Sequence, residues 1–211
     1  MTTIRVFRAA AIAAVLATTT SVTSASANQF FLFRLFQPNE PQVERTRPGP
    51  GYSTPAHLRR QIVNYQTIEA PGTIIVDTPN TYLYLVLGNG QALRYGIGVG
   101  RDGFTWSGVH RVSQKREWPN WTPPAEMLQR RPDLPHFMKG GPDNPLGARA
   151  MYLGSTLYRI HGSNEPWTIG THVSSGCFRM TNEDVTDLYS RVNVGTKVIV
   201  LPMIARQAAA Q

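Results

Sequence analysis

From Pro71 onward, Gly and Pro cut the chain into short runs rich in β-branched and aromatic residues. This punctuation constrains the fold more than any other feature. Residues 73–77 and 82–87 are two such runs, and Gly88-Asn89-Gly90 after them reads as a hairpin turn. Residues 91–99 continue the alternation, and residues 109–117, 148–153, 157–160 and 197–201 read as further strands. Two stretches read as helices. Residues 125–131 follow the opening Pro123-Pro124 pair. In residues 182–192, Thr181 and Asp184 resemble a capping box, and Val185, Leu188, Tyr189 and Val192 share one face. The expectation is a mostly β domain, a sandwich or barrel-like arrangement of mixed sheets with one or two short helices. With 18 Gly and 16 Pro the chain is no helical bundle, and with 41% hydrophobic residues it is no disordered polymer.

The ends read differently. Arg5 and Arg8, an apolar run from Ala9 to Ala17, and Ala25-Ser26-Ala27 follow the order of a cleaved secretory signal over residues 1–27. The apolar run is too short to span a bilayer as a helix. Residues 28–70 read as a Phe- and Pro-rich linker, with an apolar patch at residues 30–36 that suits docking on the domain or on a membrane. The expected domain covers residues 71–202, with a tail at 203–211. The formal net charge of +8 suits a polyanionic neighbour, and export points to an envelope polymer in the periplasm rather than to nucleic acid. No nucleic-acid motif is present. A monomer is expected, because no coiled-coil pattern is visible.

The chain has one cysteine, which excludes an intrachain disulfide and a cysteine zinc cluster. Its surroundings are informative. His161-Gly162 ends a β-type run, and Ser174-Ser175-Gly176-Cys177-Phe178-Arg179-Met180 follows. A thiol becomes a useful nucleophile beside a group that helps remove its proton, and imidazole is the usual one. Gly176 lets the backbone turn and leaves room for a carbonyl to approach the sulfur. If the stretch is extended, Arg179 shares a face with Cys177, where a cation binds a carboxylate and favours the thiolate. From spacing alone, Cys177 reads either as a nucleophile or as a small buried hydrophobe, and His161 either as its base or as a satisfied core histidine.

The ordered string His-Gly, then Ser-Ser-Gly-Cys-Phe-Arg-Met, then Thr-Asn-Glu-Asp-Val resembles the signature of the L,D-transpeptidase (YkuD-type) catalytic domain. The resemblance extends through Asn144-Pro-Leu-Gly147 and the closing strand from Gly195 to Val200. It implies that Cys177 attacks a peptidoglycan tetrapeptide stem, releases D-Ala and passes the acyl group to an amine, giving a 3→3 cross-link between diaminopimelate residues. Hydrolysis of the same thioester, and attachment of an outer-membrane protein to the wall, are the implied alternatives; a non-catalytic wall-binding module is another class. The resemblance makes His161 the proton carrier, the Gly162 carbonyl its orienting partner and Ser175 and Gly176 supports of the nucleophile. It implies substrate contacts for Arg179 and Ser174, no cofactor, no metal, and acylation by carbapenems. Where many members carry His before Gly-Cys, this chain has Ser175, and His172 is offset from that place.

Trp118 and Trp121, in a Pro-rich loop, are expected over the cleft, and Trp106 and Trp167 either line it or pack in the core. The glycines at 98–103 are followed by no Lys-Ser/Thr pair and make no phosphate loop. His57, His110 and His136 lack metal-ligand spacing.

Overall fold

The computed structural model describes residues 52–203; the expected signal and the Phe-rich patch lie outside the described residues. The chain forms β1 (Gln61–Asn64), β2 (Ile74–Asp77), β3 (Tyr82–Gly88), β4 (Gln91–Gly96), β5 (Val99–Gly100), β6 (Gly108–Glu117) and α1 (Ala125–Arg130). It continues as β7 (Arg149–Leu153), β8 (Arg159–His161), β9 (His172–Ser174), β10 (Phe178–Arg179), α2 (Asn182–Arg191) and β11 (Lys197–Val200). Nine strands run in the order β1-β4-β3-β2-β11-β6-β7-β8-β10, and β5 pairs separately with β9. The pairing is mixed: β11–β2, β10–β8 and β5–β9 are parallel, and the remaining pairs antiparallel. The mostly β class with mixed sheets and two short helices is as the sequence reads.

β6 joins the two halves of the sheet. Its first residues, Gly108–Arg111, pair with β11, and Val112–Glu117 pair with β7, with an irregularity between Val112 and Gln114. Such a bulge bends a strand and lets it serve two partners. Apolar side chains at alternate positions of β3, such as Leu83 and Leu85, face the core together with Ile74, Met151 and Ile160.

The sheet begins earlier than residue 71. β1 pairs with β4 in register from Gln61↔Arg94 to Asn64↔Gln91, inside the segment expected as linker. Its signal was hidden because Ile62 is 61% exposed: an edge strand ordered by its neighbour's backbone needs no apolar alternation. The expected run 91–99 also divides. β4 stops at Gly96, and Val99–Gly100 leaves the meander to pair with β9.

α2 closes the core. Thr181 caps it, its hydroxyl accepting from the Asp184 N–H at 3.1 Å, and Val185 and Leu188 are fully buried. At the other end Lys115 Nζ donates to the carbonyls of Tyr189 (2.7 Å) and Val192 (2.6 Å) and sits 4.0 Å from the Tyr189 ring centre. These are the carbonyls a helix end leaves without intrahelical partners. Lys115→Met is therefore expected to cost about 1 to 3 kcal/mol, the range for orphaning buried acceptors. A urea midpoint unchanged from wild type would count against this role. Asp187 ties the helix to the sheet: Tyr95 Oη donates to it at 2.6 Å, and Arg60 and Arg191 pair with it at 3.0 and 2.9 Å.

Candidate active site

The site follows from the register of two short strands. β8 and β10 are parallel, with Phe178 opposite Ile160 and Arg179 opposite His161. Side chains alternate between faces along a strand, and register partners share a face. Ile160, Phe178 and Met180 point into the core and are at most 1% exposed. The other face then carries Arg159 and His161 on β8, and Arg179 with Cys177, the residue before Phe178, on the β10 side. Carried back one residue before β10, the same register puts Cys177 opposite Arg159 and diagonal to His161.

His161 is buried, and its Nδ1 lies 2.6 Å from the carbonyl oxygen of Gly162. A carbonyl only accepts, so Nδ1 carries the hydrogen and donates it, which leaves the Nε2 lone pair free. Burial first, then the positive charges of Arg179 and Arg159, push the imidazolium pKa down to about 3, against the opposing pull of the Gly162 carbonyl. The resting ring is neutral. Cys177 is half-buried. Burial pushes its thiol up, while the charge of Arg159 and hydrogen bonds from its main chain and side chain pull the other way, with Arg179 a smaller influence. The resting forms are thus a thiol and a neutral imidazole.

The turn carrying the sulfur is held from three sides. Gly176 has φ +103°, and a Cβ there would lie 2.4 Å from Tyr158 Cε1, so only glycine fits. Trp106 Nε1 donates to the Gly176 carbonyl at 2.8 Å, and its ring stacks on Tyr158 at 4.5 Å. Ser174 Oγ accepts from the Gly176 N–H at 3.1 Å and donates to the Cys177 carbonyl at 2.6 Å. The Cys177 N–H has no hydrogen-bond partner among the described residues. It is left beside the sulfur as a donor for a developing oxyanion.

The model of the L,D-transpeptidase catalytic domain, YkuD, matches residues 71–200. The chain belongs to that family. The chain is similar to the probable L,D-transpeptidase YbiS of Escherichia coli K12, 34% identical over 182 residues, which covers 82% of this chain and 57% of that one. It spans about half the length of the curated relatives it matches. Among solved structures, a mutant L,D-transpeptidase of Enterococcus faecium is 21% identical, covers 63% of this chain and 50% of its own, and superposes with a TM-score of 0.51. A protein described as a probable carnitine operon oxidoreductase from Brucella melitensis is 50% identical, with coverage of 68% and 93% and a TM-score of 0.46.

Within this L,D-transpeptidase domain several residues expected to contact substrate have polar partners in the protein itself. Ser174 is 3% exposed, and both hydrogen bonds of its hydroxyl go to the turn that carries Cys177. Arg179 Nη1 donates to Glu165 Oε2 at 3.0 Å, which balances its charge and ties β10 to the 3-10 turn Pro166–Thr168. Arg159, unremarked in the sequence, supplies the larger pull on the thiol. Its signal was there: it stands two residues before His161 in a β-type run and therefore shares its face. Trp118 is 43% exposed with φ +41°, and Trp121 bridges to Met138; among the described residues neither bonds to the Cys177 turn or to His161. Trp118 instead donates its main-chain N–H to the Ala148 carbonyl at 2.8 Å, and the Ala148 N–H donates in turn to Asn182 Oδ1 at 2.8 Å, beside Gly162. Ser175 is half-buried next to Gly176, and His172 is exposed on β9, paired with Val99.

Proposed function

We propose that this chain is an exported L,D-transpeptidase acting on peptidoglycan stem peptides. The observation that carries the reading is the β8–β10 register, which sets a neutral, Gly162-oriented imidazole diagonal to the one thiol of the chain. In the first half-reaction Cys177 Sγ attacks the carbonyl of the third stem residue, and the thiol proton passes to His161 Nε2. The Cys177 N–H faces the oxyanion. The amide C–N bond breaks, His161 returns the proton to the departing D-Ala amine, and a thioester remains. In the second half-reaction an acceptor amine attacks the thioester, His161 takes the amine proton, and the sulfur leaves and recovers it as thiol. Covalent catalysis splits one amide exchange into two lower barriers and conserves the acyl energy without ATP.

The acceptor proposed is a diaminopimelate side-chain amine. Tetrapeptide-bearing muropeptides incubated with purified protein and analysed by mass spectrometry test it. A 3→3 dimer is the expected product; free tripeptide alone would mean hydrolysis, and no turnover with no thioester would remove the enzyme reading. Export rests on the charged, apolar and small-residue order of residues 1–27. Cell fractionation that leaves the protein full-length in the cytoplasm would overturn it.

The neutral pair also sets a pH profile. A base whose folded pKa is lowered to about 3 stays competent far below the ordinary histidine range. The rate of carbapenem acylation, followed by intact mass, is therefore expected to hold between pH 7 and pH 5. An acid limb centred near the usual imidazole value would show that the ring is solvated and that this account of His161 is wrong.

A further inference from the structure

Arg159 has donors that the fold leaves unspent. Its Nη1 donates to the Leu157 carbonyl at 3.1 Å, and the Cys177 Sγ lies 3.9 Å from the same oxygen, so guanidinium and sulfur converge on one atom. Its Nε is buried and has no hydrogen-bond partner. Its guanidinium carbon sits 5.0 Å from the Tyr152 ring centre, a stacking that holds an arginine in place without neutralising it. Among the described residues no carboxylate lies within 4.0 Å of it, whereas Arg179 next along the face is balanced by Glu165. Thr78 Oγ1 and Arg94 Nε are also buried without partners, but they lie in the β2–β3 turn and on β4, away from the thiol.

A fixed, unbalanced cation beside a nucleophile selects an anion on the part of the substrate nearest the reacting bond. In a peptide donor the departing residue meets that condition when it is C-terminal: only its nitrogen and α-carbon separate its carboxylate from the attacked carbonyl. We propose that Arg159 binds the free carboxylate of the departing residue and so restricts the donor to stems that end there. This rests on the transpeptidase reading of Cys177 and His161. It makes Arg159 a specificity-determining residue: a longer stem or a C-terminal amide presents a neutral group to it.

Two measurements test this, and the first needs no turnover. Iodoacetate and iodoacetamide both alkylate Cys177, with an S–C bond formed and iodide released; the ratio of their rates cancels the ionisation of the thiol and reports affinity for a carboxylate beside it. The ratio is expected to exceed that of free cysteine by about 10-fold or more in the wild type. It should fall to the free-cysteine value in Arg159→Gln and recover in part in Arg159→Lys. A wild-type ratio at or below that of free cysteine overturns the proposal, whatever the variants do. The second compares a tetrapeptide donor with its C-terminal amide. The wild type is expected to prefer the acid by about 10- to 100-fold in kcat/KM, mostly through KM, and Arg159→Gln to lose that preference. Equal losses on both donors would make Arg159 merely structural. If neither donor turns over but the alkylation ratio depends on Arg159, the carboxylate site stands and the transpeptidase reading falls.

Discussion

Cys177→Ala is expected to abolish acylation, and His161→Gln to slow it by about 10²- to 10⁴-fold, the usual contribution of a positioned general base. The first change removes the only sulfur that can form a thioester, since the chain has one cysteine. The second leaves that sulfur in place but removes the Nε2 lone pair that Gly162 orients through Nδ1 at 2.6 Å. The thiol is held toward its neutral form by burial, so without a base little thiolate exists at neutral pH. Intact mass after exposure to a carbapenem gives the readout: one added molecule on the wild type, none on Cys177→Ala, and a slow appearance on His161→Gln. An adduct of equal size on Cys177→Ala, or wild-type speed in His161→Gln, would dismantle the proposed pair.

Gly162→Ala is expected to lose about 100-fold in kcat/KM, as a displacement of about 1 Å in a catalytic group does, together with about 1 to 3 kcal/mol of stability from overpacking. A Cβ on Gly162 would come within 2.3 Å of Asn182 Oδ1, 3.0 Å of the Ala148 nitrogen and 3.1 Å of Val185 Cγ1. Backbone and the first turn of α2 stand on that side, so the strand end must move, and with it the carbonyl that fixes the imidazole. Gly141→Ala is the matched control: nothing lies within 4 Å of a Cβ there, and its backbone is not left-handed. It should stay within about 0.5 kcal/mol of wild type. Unfolding in urea and donor kinetics on both variants decide the point; wild-type kinetics in Gly162→Ala would mean that the carbonyl does not orient the ring.

The elements legible beforehand were those with their own pattern. β3 alternates core and surface through Leu83 and Leu85, and α2 shows a cap and one apolar face at Val185 and Leu188. β1, β5, β9 and β10 were not legible because, with two to four residues each, none carries the run of three β-branched residues that marks the equally short β2 and β11. At that length a partner strand's free N–H and C=O groups, not the side chains, decide the conformation.

The same division runs through the site. The β-rich class, the lone thiol, the imidazole ahead of it and the glycines that let the turn form are all written in the residues, because each is a property of residue type and local order. Which arginine stands free depends on the folded chain. Arg179 was the nearer cation in sequence, yet Glu165 balances it at 3.0 Å, and Arg159 from the neighbouring strand reaches the sulfur instead. The physical reason is register: the parallel pairing of β8 with β10 brings residues 18 apart side by side, as Arg179 and His161 show, and no one-dimensional spacing contains that pairing.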